Sequence, residues 1–286
     1  MRKILAALAF TVFSVSSIAA AELTGTLQQI KKSGEIKIGY RESEPPMSFM
    51  GKDGKPVGYS IDICSRIVTA VKEKVGTDVK IKYVPVTAEN RFSALTDNKI
   101  DILCGSTTKT LARGELVDFT QLTFVTGAAM MTLKSSNVKE LANLSGKKVG
   151  VVKNTTTVNV LKKLLKDSLT DATVVEVDSA KQGLDKLRKG AIIAFSSDQI
   201  VLVGLAATAE DAAKFEISSD VFSYEPFALA VRRNDADFRL VADRVISQLY
   251  RTGQIEPIYN KWFGKFAKKR PAVLDALYLL NATPEG

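Results

Sequence analysis

Two cysteines, no histidine and a few charged and hydroxyl residues at predicted strand ends carry whatever chemistry this chain performs. The absence of histidine removes the commonest general base and the commonest metal ligand at once. Cys64 and Cys104 are far apart and no other ligand types cluster beside them, which argues against a metal or thiol-redox site. No metal and no cofactor are therefore expected. In an oxidising compartment a lone pair of cysteines most simply forms one disulfide, with two buried free thiols as the alternative. No glycine-rich loop followed by Lys-Ser or Lys-Thr is present to bind a nucleotide.

The elements that position these residues follow from periodicity. Residues 35–40 alternate as a strand, and residues 60–75 carry apolar positions at helical spacing, closed by Gly76. A strand over 79–86, a short helix over 89–96 and a strand over 100–104 follow. The pattern then restarts: strand 147–152, helix 156–165, strand 173–177, helix 181–189 and strand 192–195. Alternating strands and helices predict α/β units with mainly parallel sheets. Extended segments at 119–132 and 228–231 are predicted to cross between the two units. The helices over 235–252 and 255–263 then return to the first, and the tail from Pro271 is expected as an apolar strap carrying Leu274, Leu277, Leu279 and Leu280. In open α/β sheets ligands sit beyond the carboxyl ends of strands. Here those positions are Arg41, Ser106 to Thr108, Asn154 to Thr156, and Asp198.

Arg2 and Lys3, an apolar run from Ile4 to Phe13 and small residues up to Ala21 read as a signal peptide over residues 1–21. The apolar run is too short for a membrane span. A composition of 45% hydrophobic and 25% charged residues is that of a globular protein. The net charge of +9 comes from dispersed Lys and Arg, without the arginine-rich runs of nucleic-acid binders.

The pieces Gly39-Tyr40-Arg41-Glu42-Ser43, Gly58-Tyr59-Ser60-Ile61-Asp62, Asn90-Arg91, Cys104-Gly105-Ser106-Thr107-Thr108 with Arg113 and Val117-Asp118-Phe119, and Ser197-Asp198 occur in the order found in periplasmic polar amino-acid binding proteins. The chain resembles that family over nearly its whole length, and most closely its glutamate/aspartate branch. The resemblance implies a two-lobed periplasmic-binding-protein fold (type II). Its first lobe would span 22–126 and 227–286 and its second 127–226, with two hinge strands joining them. It also implies a monomer in the periplasm that binds free glutamate or aspartate and delivers it to an inner-membrane ABC permease. By this resemblance Arg113 clamps the ligand α-carboxylate, a task suited to the planar guanidinium fork. Asp198, with Ser106 and Thr108, accepts the α-ammonium, and Arg41 and Arg91 hold the side-chain carboxylate. Thr156 adds a hydroxyl and a backbone N–H at a helix N-terminus.

Each assignment has a plainer alternative: a surface salt bridge for Arg113, an N-cap for Asp198 and a capping threonine for Thr156. Against the branch pattern, no histidine stands near Ser179 to Gln182, Ala88 replaces a serine, and Met47 replaces a phenylalanine, leaving Phe49 as the candidate aromatic wall. Neighbouring ligand readings are an amide or other polar amino acid. The rival class is a dehydratase-like enzyme on the same architecture, for which Glu42 and Glu89 are the only acids expected near the pocket.

Overall fold

The computed structural model describes residues 22–138, 140–266 and 269–286, so the expected signal peptide lies outside the described residues. Helix α1 (Gly25–Ser33), which the sequence reading lacks, leads into β1 (Glu35–Tyr40). A small three-stranded sheet, β2 (Ser43–Glu44), β3 (Ser48–Met50) and β4 (Pro56–Val57), precedes α2 (Tyr59–Val75). In α2 the residues Ile61, Cys64, Ile67, Val68, Val71 and Val75 recur at three- and four-residue intervals and form one buried stripe. Gly58 precedes it because nothing larger fits: φ is 141°, and a Cβ would lie 2.3 Å from the Met47 carbonyl oxygen.

The first lobe continues through β5 (Lys80–Pro85), α3 (Arg91–Thr96), β6 (Ile102–Cys104), α4 (Leu111–Gly114) and β7 (Val117–Thr126). After Gly127 the chain enters the second lobe at β8 (Ala128–Leu133). There follow β9 (Lys148–Val152), α5 (Thr156–Asp167), β10 (Thr173–Val177), α6 (Ala180–Arg188), β11 (Ala194–Asp198), α7 (Gln199–Thr208) and β12 (Phe215–Ile217). Strand β13 (Glu225–Arg232) returns to the first lobe, and α8 (Ala236–Arg251), α9 (Ile255–Phe263) and α10 (Ala272–Leu280) finish it.

The two main sheets run β5-β1-β6-β13-β7 and β10-β9-β11-β8-β12. Each contains one reversed strand, β13 or β8, and in both cases it is the strand that has just arrived from the other lobe. The remaining central pairs, β1 with β5 and β6, and β9 with β10 and β11, are parallel, so their carboxyl ends open to one side. The crossings run side by side: β13 pairs with β7 as far as Glu225 opposite Thr126, and the Ala128 N–H donates to Ser223 Oγ at 2.9 Å.

Both faces of both sheets are covered. Ile38, Ile67, Phe238, Ile258 and Leu274 belong to one core of the first lobe, and Leu95, Leu103 and Ala230 to the core on the opposite face. Adjacent residues of β8 show the alternation directly: Met131 packs with Leu184, Phe195 and Leu202, and Met130 with Val149 and Leu161. The expected apolar strap is instead a helix, α10. Helical spacing turns Leu274 and Leu277 inward and leaves Leu279 and Leu280 exposed. Cys64 of α2 and Cys104 of β6 form a disulfide with a Cα–Cα distance of 6.4 Å.

Candidate ligand-binding site

The carboxyl ends of the parallel strands of the two lobes face one another, and the polar residues that follow them converge there. Arg41 follows β1, Ser106 and Thr108 follow β6, Arg91 opens α3, and Arg113 lies on α4. From the second lobe Thr156 opens α5 just beyond β9, and Asp198 ends β11. All seven expected residues line one cavity between the lobes. The Arg41 backbone N–H, donating to Ser48 Oγ at 2.9 Å, ties the segment after β1 to β3.

Arg41 and Arg91 are only 5% and 3% exposed. A charge taken out of water costs several kcal/mol unless it is paired and hydrogen-bonded. Arg41 pairs with Glu44, Nη2 to Oε1 at 2.7 Å. Arg91 donates from Nη1 to the Ala88 carbonyl and from Nη2 to the Asn154 carbonyl at 3.1 Å, but its buried Nε has no hydrogen-bond partner. Arg113 donates from Nη1 to the Thr108 carbonyl at 2.7 Å. The Arg91 and Arg113 guanidiniums lie 4.5 and 5.4 Å from the centroid of the Phe92 ring. Burial, reinforced by Arg113 and Arg41, pushes Arg91 down to about 9. Burial also lowers Arg113.

Asp198 occupies the N-cap of α7, yet its side chain makes no capping hydrogen bond. The residue as a whole is only part-buried, but its Oδ1 is fully buried and without a partner. Burial first, then the nearby Glu225 and Glu44, hold this carboxyl well above the usual carboxylate range, against the opposing pull of Arg113. Glu225, 2% exposed, accepts from Thr108 Oγ1 at 2.6 Å and Thr156 Oγ1 at 2.8 Å through Oε2, and from Ser223 Oγ at 2.8 Å through Oε1. The hydroxyl protons of Thr108 and Thr156 are thereby committed, which leaves their oxygens as acceptors toward the cavity.

The acids expected near the pocket are not the ones found there. Glu42 lies on an outer groove between the lobes and does not line the cavity. Glu89 is exposed and pairs across the lobes with Lys153 at 2.8 Å. Glu44 and Glu225 take their place. Phe49 likewise faces the outer groove and packs edge-on against Trp262, and the aromatic ring beside the site is Phe92. Val152, the last residue of β9, and Thr155 and Ser197, each next to a predicted site residue, also line the cavity. Glu225 carried no such signal, because the return crossing is expected only from residue 228, whereas β13 begins at Glu225.

The lobes are in contact around this cavity. Gly204 on α7 lies so close to the Pro45–Pro46 turn that a Cβ would stand 2.1 Å from the Pro45 carbonyl oxygen. Ala88 of the first lobe packs in a second-lobe core with Leu202 and Leu205. Among the described residues no cluster of three or more His, Cys, Asp or Glu could hold a metal ion, and no helix is long and apolar enough to cross a membrane.

The chain is 34% identical over 248 residues to an L-glutamate/L-aspartate-binding protein of Pseudomonas aeruginosa, covering 86% of this chain and 82% of that protein. It is 33% identical over 246 residues to a glutamate/aspartate import solute-binding protein of Escherichia coli, with 86% and 82% covered. The crystal structure of a cysteine-binding protein from Campylobacter jejuni superposes with a TM-score of 0.75 at 25% identity, over 88% of this chain and 98% of that one. The family model of the bacterial extracellular solute-binding proteins, family 3, matches residues 36–265, and the chain belongs to that family.

Proposed function

We propose that this protein is the periplasmic substrate-binding component of an ABC amino-acid importer. It captures a small acidic amino acid, glutamate or aspartate, between its lobes and presents it unchanged to a membrane permease. One observation carries the reading: in a single cavity, a buried guanidinium Nε and a buried carboxylate Oδ1, from opposite lobes, both lack partners. An unpaired buried donor or acceptor costs about 1–3 kcal/mol, more when charged. An α-amino acid supplies a carboxylate for the cation and an ammonium for the anion. In this reading Arg113 receives the α-carboxylate, with Phe92 beneath its guanidinium. Asp198 takes the α-ammonium, helped by the Thr108 hydroxyl oxygen, and Arg41 and Arg91 face the side chain. The backbone N–H of Thr156 adds a donor. The names of the relatives in Pseudomonas aeruginosa and Escherichia coli support the same ligand class.

Closure follows from the division of labour. The three arginines belong to the first lobe and Asp198 to the second, so a ligand seated on the first lobe gains its ammonium contacts only when the lobes meet. That difference in affinity is what shifts the equilibrium toward the closed form. The test is calorimetry with protein stripped of carried-over ligand by unfolding and refolding, titrated with glutamate, aspartate, glutamine, asparagine, arginine and histidine. Uptake of glutamate or aspartate in preference to the cationic amino acids supports the reading. A cationic preference refutes the ligand class, and consumption of the ligand on prolonged incubation refutes the transport role in favour of an enzyme.

A further inference from the structure

We infer that Glu44 is a specificity-determining residue that fits the pocket to a side-chain amide, so that glutamine and asparagine are full ligands beside glutamate and aspartate. This rests on the amino-acid reading of the cavity above. Glu44 is 6% exposed and lines the cavity, with Oε1 on Arg41 Nη2 at 2.7 Å and Oε2 accepting from Ser106 Oγ. It stands on Arg41 where a ligand carboxylate would otherwise dock, so part of the cation's binding capacity is filled from within the protein.

Charge balance points the same way. Once a ligand ammonium ionises Asp198, the three cations Arg41, Arg91 and Arg113 face three acids, Glu44 and Asp198 in the lining and Glu225 behind the hydroxyls of Thr108 and Thr156, and the α-ammonium and α-carboxylate of any amino acid cancel. A ligand with a neutral side chain leaves the closed site balanced, whereas a second carboxylate leaves one excess negative charge where water is excluded. The lining also has the complementary pair an amide needs. Arginine N–H groups, including the unpartnered Arg91 Nε, donate to its carbonyl oxygen, and Glu44 accepts from its NH2.

The experiment compares glutamate with glutamine, and aspartate with asparagine, by calorimetry on the stripped wild-type protein and on Glu44→Gln and Glu44→Ser. Far-UV circular dichroism and thermal melting establish that each variant is folded. In the wild type the better amide binds within about tenfold of the better acid, or more tightly. Both variants raise the acid-to-amide affinity ratio by roughly 10- to 100-fold, the value of one hydrogen bond to a charged group. Wild-type rejection of both amides by more than about 100-fold overturns the assignment, as does a ratio in both variants within twofold of wild type. If tight acidic binding persists in either case, only the role of Glu44 falls. If neither acids nor amides bind the wild type, the amino-acid reading falls with it.

Discussion

Gly204→Ala separates closure of the lobes from their stability. In the closed arrangement the new Cβ would lie 2.1 Å from the Pro45 carbonyl oxygen, 2.3 Å from its carbon and 2.7 Å from Pro46 Cδ. Ordinary contact between such atoms is about 3.5 Å, so the helix and the turn must part by roughly 1 Å. The obstacle is backbone, which cannot rotate away as a side chain would. Overpacking of this kind costs about 1–3 kcal/mol, which predicts a ligand affinity weakened by roughly 5- to 150-fold. Within α7 itself the substitution is favourable, because alanine is better than glycine in a helix interior by about 1 kcal/mol. The ligand-free protein, free to open, should therefore melt at the same temperature as wild type or slightly higher. The increase in Tm on adding ligand should shrink. Calorimetry gives the affinity, and small-angle scattering gives the contraction on ligand addition. An affinity within twofold of wild type, with full contraction, would refute the reasoning that α7 and the Pro45–Pro46 turn meet in the ligand-bound state.

Asp198→Asn should weaken binding by roughly 30-fold or more, the cost of removing one member of a buried charge pair; calorimetry that finds less than threefold loss removes Asp198 from the ammonium site. Because burial raises the Asp198 carboxyl and a ligand ammonium would lower it, capture should release a proton. Affinity is then full above the raised value and falls as pH drops through it, measurable as a difference in apparent enthalpy between buffers of unlike ionisation heat. In the ligand-free closed form the sign reverses: a raised carboxyl stabilises most below its unfolded value of about 3.9, and that contribution is lost as pH rises through the raised one. Glu225→Gln should reduce affinity by roughly 10- to 100-fold, because one carboxylate fixes the hydroxyls of both Thr108 and Thr156; an unchanged Kd would assign it to folding alone. Replacing Cys64 and Cys104 by serine opens a loop spanning 40 residues and should cost roughly 4 kcal/mol, seen as a Tm lower by about 10 °C; a shift under about 2 °C would contradict this.

The elements legible in the sequence were those with a single periodicity and a clear end. Residues 173–177 and 255–263 form the strand and helix their patterns predict, residue for residue. Arg41, Ser106, Thr108, Thr156 and Asp198 could be collected because each stands at or just beyond a strand end, and topology brings such positions together whatever their separation in the chain; Arg91 and Arg113 were indicated by the family resemblance alone. Less legible were features decided by one rotation or one contact. Glu42 and Glu44 are two residues apart, and it is Glu44, paired with Ser48 of β3, whose carboxylate enters the cavity. The tail around Leu279 shows the same limit: an apolar run suggests burial of every member, but helical spacing spends half of it on solvent. Helix α1 was missed because its buried face is only Thr26, Leu27 and Ile30, too short a repeat to stand out beside its lysines.

Glu225 explains why a site divided between two lobes does not behave as two half-sites. It is the first residue of β13, at the point where the second crossing meets the first sheet, and it is paired in register with Thr126 at the end of β7. Its carboxylate accepts from Ser223 in the crossing, from Thr108 in the first lobe and from Thr156 in the second. A buried carboxylate needs several donors to be tolerated, and here those donors come from the three bodies whose relative placement defines closure. If the lobes part as proposed, the Thr156 contact is the one that would be lost to water, and closing would restore it. After burial, the same acid is the next cause that raises Asp198, so in the proposed complex the α-ammonium of a ligand would offset that repulsion. The proposed capture and closure would thereby be coupled through one side chain, at the crossing between the lobes, that touches neither the Asp198 carboxylate by hydrogen bond nor any arginine by ion pair among the described residues.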